Sequence, residues 1–205
     1  MKIAKIAVNT NLSAAAGGTV AALLTLRQYG KADPSMAING ALGGLVAITA
    51  GCAYIEPVSA IVIGAISGFL IIAAVPFFDK MHADDPVGAI AVHGVCGTFG
   101  TIAVGIFATD GGLLYGGGLH LLGIQLLGVG AVSLLGFTCT YALFSALKAT
   151  VGIRVTKEEE TIGLDISEHG ISSYNDLEYS PLRPLHPAVL RPASILESTE
   201  KITTV

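Results

Sequence analysis

Between Val87 and Ala108 the chain runs through an apolar stretch about long enough to cross a bilayer, and His93 sits near its middle. Apart from the thiol of Cys96, no other side chain in that stretch can ionise. An ionisable group in hydrocarbon costs several kcal/mol, so it marks either a satisfied contact with a neighbouring helix or a pore or proton path. The stretch also limits the fold. Within lipid each backbone N–H and C=O must be satisfied inside its own segment, so a chain built of such stretches forms a helix bundle.

Composition agrees with that class. The 205 residues are 52% hydrophobic and 13% charged, against about 25% charged in soluble domains. The mean hydropathy is +0.71. The 26 glycines lie largely within apolar runs, where they let helix backbones approach closely. The expected fold is all-α, a polytopic membrane bundle.

Five spans are predicted, at about Ile6–Leu26, Ser35–Tyr54, Pro57–Phe78, Pro86–Ala108 and Leu119–Leu147. They make a membrane domain of residues 1–153, followed by a tail of residues 154–205. Asp33-Pro34, Glu56-Pro57 and Asp85-Pro86 each set an acid before a proline. Proline at the first helical position forfeits no hydrogen bond, and a carboxylate there suits the helix dipole. Asp33 and Asp85 are the expected N-caps, because Glu caps poorly. Gly40 and Gly44 are four apart, as are Gly64 and Gly68, which predicts two close-packing faces.

Arg27, Lys31, Lys80, Lys148 and Arg154 all fall on one side of this topology. By the positive-inside rule that side is cytoplasmic, which places the C-terminus in the cytoplasm of a multi-pass protein of the cell's inner (plasma) membrane. Lys2 and Lys5 are exceptions at the outer end of the first span. The N-terminal segment superficially resembles a signal peptide, but Asn9-Thr10-Asn11 interrupts the apolar core that such a peptide needs. A transmembrane helix with an inward polar patch is expected instead. Asn9 and Asn39 are candidates to line a substrate pathway.

The tail holds five of the 11 Lys+Arg and nine of the 15 Asp+Glu, so the net charge of −4 belongs to it. Order is expected to about Tyr174. Beyond Ser180, Pro181, Pro184, Pro187 and Pro192 favour extended or disordered chain. Nothing in this pattern suits nucleic acid. No nucleophile elbow, phosphate loop or carboxylate pair appears, which argues against an enzyme and against a cofactor. His93 and Cys96 are two potential ligands at helical spacing, too few for a metal site, so Cys96 reads as a small packing residue.

Five segments in order resemble the ammonium transporter family (Amt/Mep/Rh). Asn9-Thr10-Asn11-Leu12-Ser13-Ala14-Ala15-Ala16 is similar to the start of its seventh helix. The run Asn39-Gly40-Ala41-Leu42-Gly43-Gly44-Leu45-Val46-Ala47-Ile48-Thr49-Ala50-Gly51-Cys52 resembles the eighth. Asp84-Asp85-Pro86-Val87-Gly88-Ala89 with Val92-His93-Gly94-Val95-Cys96-Gly97 resembles the tenth. Thr150-Val151-Gly152-Ile153-Arg154-Val155 and Gly163-Leu164-Asp165-Ile166-Ser167-Glu168-His169-Gly170 resemble the C-terminal signature.

The resemblance implies ammonium or ammonia as substrate and a homotrimer with one pore per subunit. His93 matches the second of two pore histidines. A neutral imidazole can donate and accept hydrogen bonds along an apolar tube. The family fold has eleven spans in two inverted repeats plus a last helix, and the resemblance covers the last five. The first pore histidine and the phenylalanine gate have no counterpart here, and Phe99 stands where many members have tryptophan. The expectation is a C-terminal half that transports only with an N-terminal half chain, and whose His93 is buried against a concave, pore-side surface. His120 reads as an interfacial residue. The alternative is a non-transporting membrane module that senses ammonium or docks a PII regulatory protein through its tail.

Overall fold

A computed structural model describes residues 2–170 and Ser173. The expectations for Pro181–Val205 lie outside the described residues. Among those described there are seven α-helices and no strand beyond an isolated bridge between Ile55 and Ala108. The chain divides into two compact units, Met1–Phe144 and Ser145–Val205.

In the first unit α1 spans Lys2–Tyr29, α2 Pro34–Thr49 and α3 Pro57–Lys80. A wide π turn over Ile90–Val95 leads into α4, Cys96–Phe107, and α5 begins at His120 and runs to Thr150. Pro57–Lys80, Ile90–Phe107 and His120–Thr150 are long and apolar enough to cross a membrane. The 28-residue α1 is long enough but diluted by its polar residues, and α2 is a shorter apolar helix.

The capping chemistry differs at the three acid-proline sites. Asp33 accepts from the backbone N–H of Ser35 at 2.8 Å and of Met36 at 3.1 Å, starting α2. Glu56 makes no cap bond; its carboxylate instead pairs with Lys5 at 2.9 Å. The out-of-place lysine thus has a partner nearby in space. Asp85 does not sit directly before a helix. A turn at Pro86 and Val87 intervenes, and its two oxygens reach forward to the N–H groups of Ala89 and Ile90, each at 2.8 Å.

One stripe organises the core. The buried residues of α1 are Asn9, Ser13, Gly17, Ala21 and Thr25, every fourth position, so they form a single ridge. A Cβ on Gly44 or Gly64 would strike the Ser13 backbone, and one on Gly68 would strike that of Gly17. Gly17 itself lies against the Gly40 carbonyl. The two predicted glycine faces are therefore both close-packed, and both meet α1. Hydrogen bonds reinforce the ridge: Ser13 Oγ donates to the Gly44 carbonyl at 2.8 Å, and Thr25 Oγ1 accepts from Asp33 N–H at 3.1 Å.

In the second unit α6 (Lys157–Ile162) opens on a capping box. Thr156 Oγ1 accepts from Glu159 N–H at 3.3 Å, while Glu159 Oε2 accepts from Thr156 N–H at 2.8 Å. α7 (Leu164–Ser167) follows, and Asp165 accepts from Ser173 N–H at 2.9 Å. These bonds hold both carboxyls below their ordinary ranges, Glu159 chiefly through the Thr156 backbone and Asp165 through that of Ser173.

Candidate functional site

α2 and α4 pack side by side. A Cβ on Gly43 would meet Cys96 Sγ, one on Gly97 would meet Val46, and one on Gly100 would strike Ala47. The buried face of this pair is built from Gly43 and Ala47 on α2 and from Cys96, Gly100 and Ala103 on α4. Cys96 is fully buried, its thiol 3.8 Å from the Ser67 carbonyl. It packs as a small residue.

His93 lies on the other face. It is exposed, as are Leu42 and Ile90, while Val46 and Gly97 are half-buried. The expectation that His93 is buried within the bundle is therefore corrected. The described helices pack against the opposite face of its helix, so the imidazole sits on a surface that the described residues leave uncovered. His93 and Cys96, three residues apart, point to different surroundings and share no ligand position.

The two asparagines part company. Asn9 is fully buried, and its Nδ2 donates to the carbonyls of Cys52 at 2.9 Å and Ile55 at 2.7 Å. α2 ends at Thr49, short of Tyr54, and the following turn leaves carbonyls that helix bonds do not use. Asn9 satisfies two of them. Its Oδ1 finds no donor among the described residues. Asn39 lies towards the opposite end of α2, and its Nδ2 donates to the Val87 carbonyl at 3.1 Å. Only Asn39 adjoins the segment that carries His93.

That segment contains what sequence reasoning missed. The backbone N–H of Cys96 donates to the Ala91 carbonyl, five residues back, and also to that of His93. Wide turns of this kind are rare and cluster at functional sites. Gly88, just before it, has φ +74, a conformation glycine adopts without the Cβ penalty. No motif announces the wide turn. Of the α1 ridge, only the inward polar patch around Asn9 was expected; the every-fourth stripe through Thr25 emerges with the fold.

An open groove between α1 and α3, lined by Leu24, Arg27, Gln28, Phe69, Ile72 and Ala73, does not include His93.

Residues 1–174 match the model of the Ammonium Transporter Family. The chain is 45% identical over 187 residues to ammonium transporter Amt2 of Archaeoglobus fulgidus, covering 85% of this chain and 40% of that protein. It is 42% identical to a putative ammonium transporter of Synechocystis, covering 80% of this chain and 36% of that protein. Among solved structures, one titled Sensor Amt Protein superposes with a TM-score of 0.76 at 41% identity, over 82% of this chain and 42% of that one. Mep2 of Candida albicans superposes at 0.72 and 29% identity, over 78% and 38%. The chain thus spans about two fifths of the length of these relatives.

Proposed function

This chain belongs to the ammonium transporter family, and we propose that it forms one wall of a transmembrane path for ammonium or ammonia, with His93 lining that path and Asn39 towards its cytoplasmic end. The supporting observation is the exposure of His93 at the centre of an apolar helix, on the face that the other described helices leave open. An imidazole so placed is costly against lipid. Against a second protein wall it would supply the hydrogen-bonding group that a small polar solute needs in a dry constriction.

A path of this kind needs walls on all sides. In this reading the other wall comes from the six further helices of a family subunit, and three subunits associate. Copies of these five helices inserted in one orientation cannot mimic an inverted repeat. The side carrying Arg27, Lys31 and Lys80 faces the cytoplasm of the inner membrane, as their charge favours, and a PII protein docks at the tail on that side. A sensing role is the second reading, favoured by the superposition on the structure titled Sensor Amt Protein.

The test is growth of a transporter-deficient cell on limiting ammonium. Co-expression with a matching six-helix N-terminal half rescues growth, the chain alone does not, and His93→Leu in the rescued pair alters rate or ion coupling without blocking assembly. Rescue by the chain alone would overturn the two-wall reading. An assembled pair that moves no ammonium would favour sensing.

A further inference from the structure

We propose that Asn39 is a positioning residue for His93: its hydrogen bond to the Val87 carbonyl holds the wide turn that aims the imidazole away from the core. The effect on transport rests on the function proposed above; the effect on the imidazole does not.

The buried positions of α4 include Cys96, Gly100 and Ala103, at spacings of four and three. Extending an ordinary α register backwards from Cys96 sets Val92 and His93 about 40° and 60° to either side of it. Both would border the core. The structure instead buries Ala91 and Val92, at 1% and 3% exposure, and exposes His93. The five-residue hydrogen bond from Cys96 to Ala91 explains this shift. It takes one more residue into the turn, so the buried pair moves back by one and His93 rotates outward.

Such a turn persists only where its surroundings over-determine it. Two clamps are present. Asp85 binds the N–H groups of Ala89 and Ile90 from within the same segment. Asn39 binds from another helix, tying Val87 to α2. α2 is itself immobilised, because Gly40 and Gly44 lie against the backbone of α1. Gly88 admits the asparagine: a Cβ there would approach Asn39 Nδ2 to 3.0 Å. Without the Asn39 bond, the Pro86–Gly88 turn can release or absorb one residue. The wide turn can then relax to α geometry, bringing His93 towards the core.

The test uses 15N-histidine-labelled full chain in lipid bilayers, with the partner half present, read by solid-state NMR. His93 is identified by the signal lost in His93→Gln. Asn39→Asp keeps the shape and removes the N–H donor, and Asn39→Gln restores a donor. We expect the His93 ring nitrogens to shift in Asn39→Asp and to return towards their original positions in Asn39→Gln, with His82 and His120 unmoved. Maximal ammonium flux should fall about tenfold with KM within about twofold, the pattern of a misplaced group rather than a lost binding site. Unmoved His93 signals in Asn39→Asp, or equal shifts in all histidines, would overturn the proposal. If Asn39→Asp does not accumulate, Asn39→Ala, which removes the same donor without adding a charge, is held to the same outcomes. Absence of flux in the unmodified protein would sink the transport reading alone, since the ring signals still decide this one.

Discussion

The α1–α3 core and helix α5 are both rich in glycine, yet they behave in opposite ways. In the core, Gly17, Gly40, Gly44, Gly64 and Gly68 each press against another helix's backbone. In α5, Gly123, Gly128, Gly130 and Gly136 have nothing within reach of an added Cβ. None of its 31 residues is buried, and Leu127 and Phe137 are 76% and 74% exposed. Glycine favours association in lipid only where a facing ridge exists to exploit the close approach. The ridge is the every-fourth stripe of α1. α5 meets α4 at its first turn, where Leu122 lies against Gly105; from Gly123 on, it presents an apolar surface that the described residues do not bury.

The largest expected effect breaks the core side of this contrast. Gly17→Leu forces a side chain into the Gly40 carbonyl and should cost at least about 3 kcal/mol, since backbone cannot yield as a side chain does. Folded yield and denaturant unfolding in detergent measure it, and a stability equal to the parent would refute the ridge. Next comes Asn9→Leu, which leaves the carbonyls of Cys52 and Ile55 without their donor. A loss of about 2 kcal/mol is expected by the same assay. Ser13→Ala removes one bond to the Gly44 carbonyl and should cost about 1 kcal/mol, within the range of interhelical bonds in membranes.

Smaller still is an effect in the second unit, where hydrogen bonds are local. The carboxyl of Glu159 is held below its ordinary 4.5 by the Thr156 backbone. A depressed folded value means that its stabilisation is present above the ordinary value and is lost as pH falls through the folded one. Thr156→Ala removes the hydroxyl that also donates to this carboxylate but keeps the backbone N–H, so the Glu159 titration, followed by carboxyl NMR, should move only part of the way up towards 4.5. An unmoved titration would show that the Thr156 hydroxyl has no part in the shift. The smallest effect is the control for the whole comparison: Gly130→Leu on α5 should cause no loss of folded yield, and a loss like that of Gly17→Leu would mean that the middle of α5 is packed as its first turn is against Gly105.

Much of this was legible in the sequence, and the exceptions have local causes. Asp33 was readable as a cap because capping depends on residues two or three positions away. The ion pair of Glu56 was not, since its partner Lys5 is 51 residues distant. Asp85 was half legible: the acid was recognised, but the turn at Pro86 and Val87 moved its bonds to Ala89 and Ile90. The asparagines looked alike, and only the ends of α2 that they reach separated them.

By itself the sequence determined the apolar helices, their charge asymmetry, the family and the presence of a histidine in the middle of a helix. These follow from composition and from interactions within a few residues. The tertiary structure decided where that histidine points. Its direction depends on one extra residue in a turn, held by an asparagine 48 positions from the carbonyl it binds. A periodicity read along the sequence assumes a constant turn, and it cannot register a turn widened by a contact from another helix.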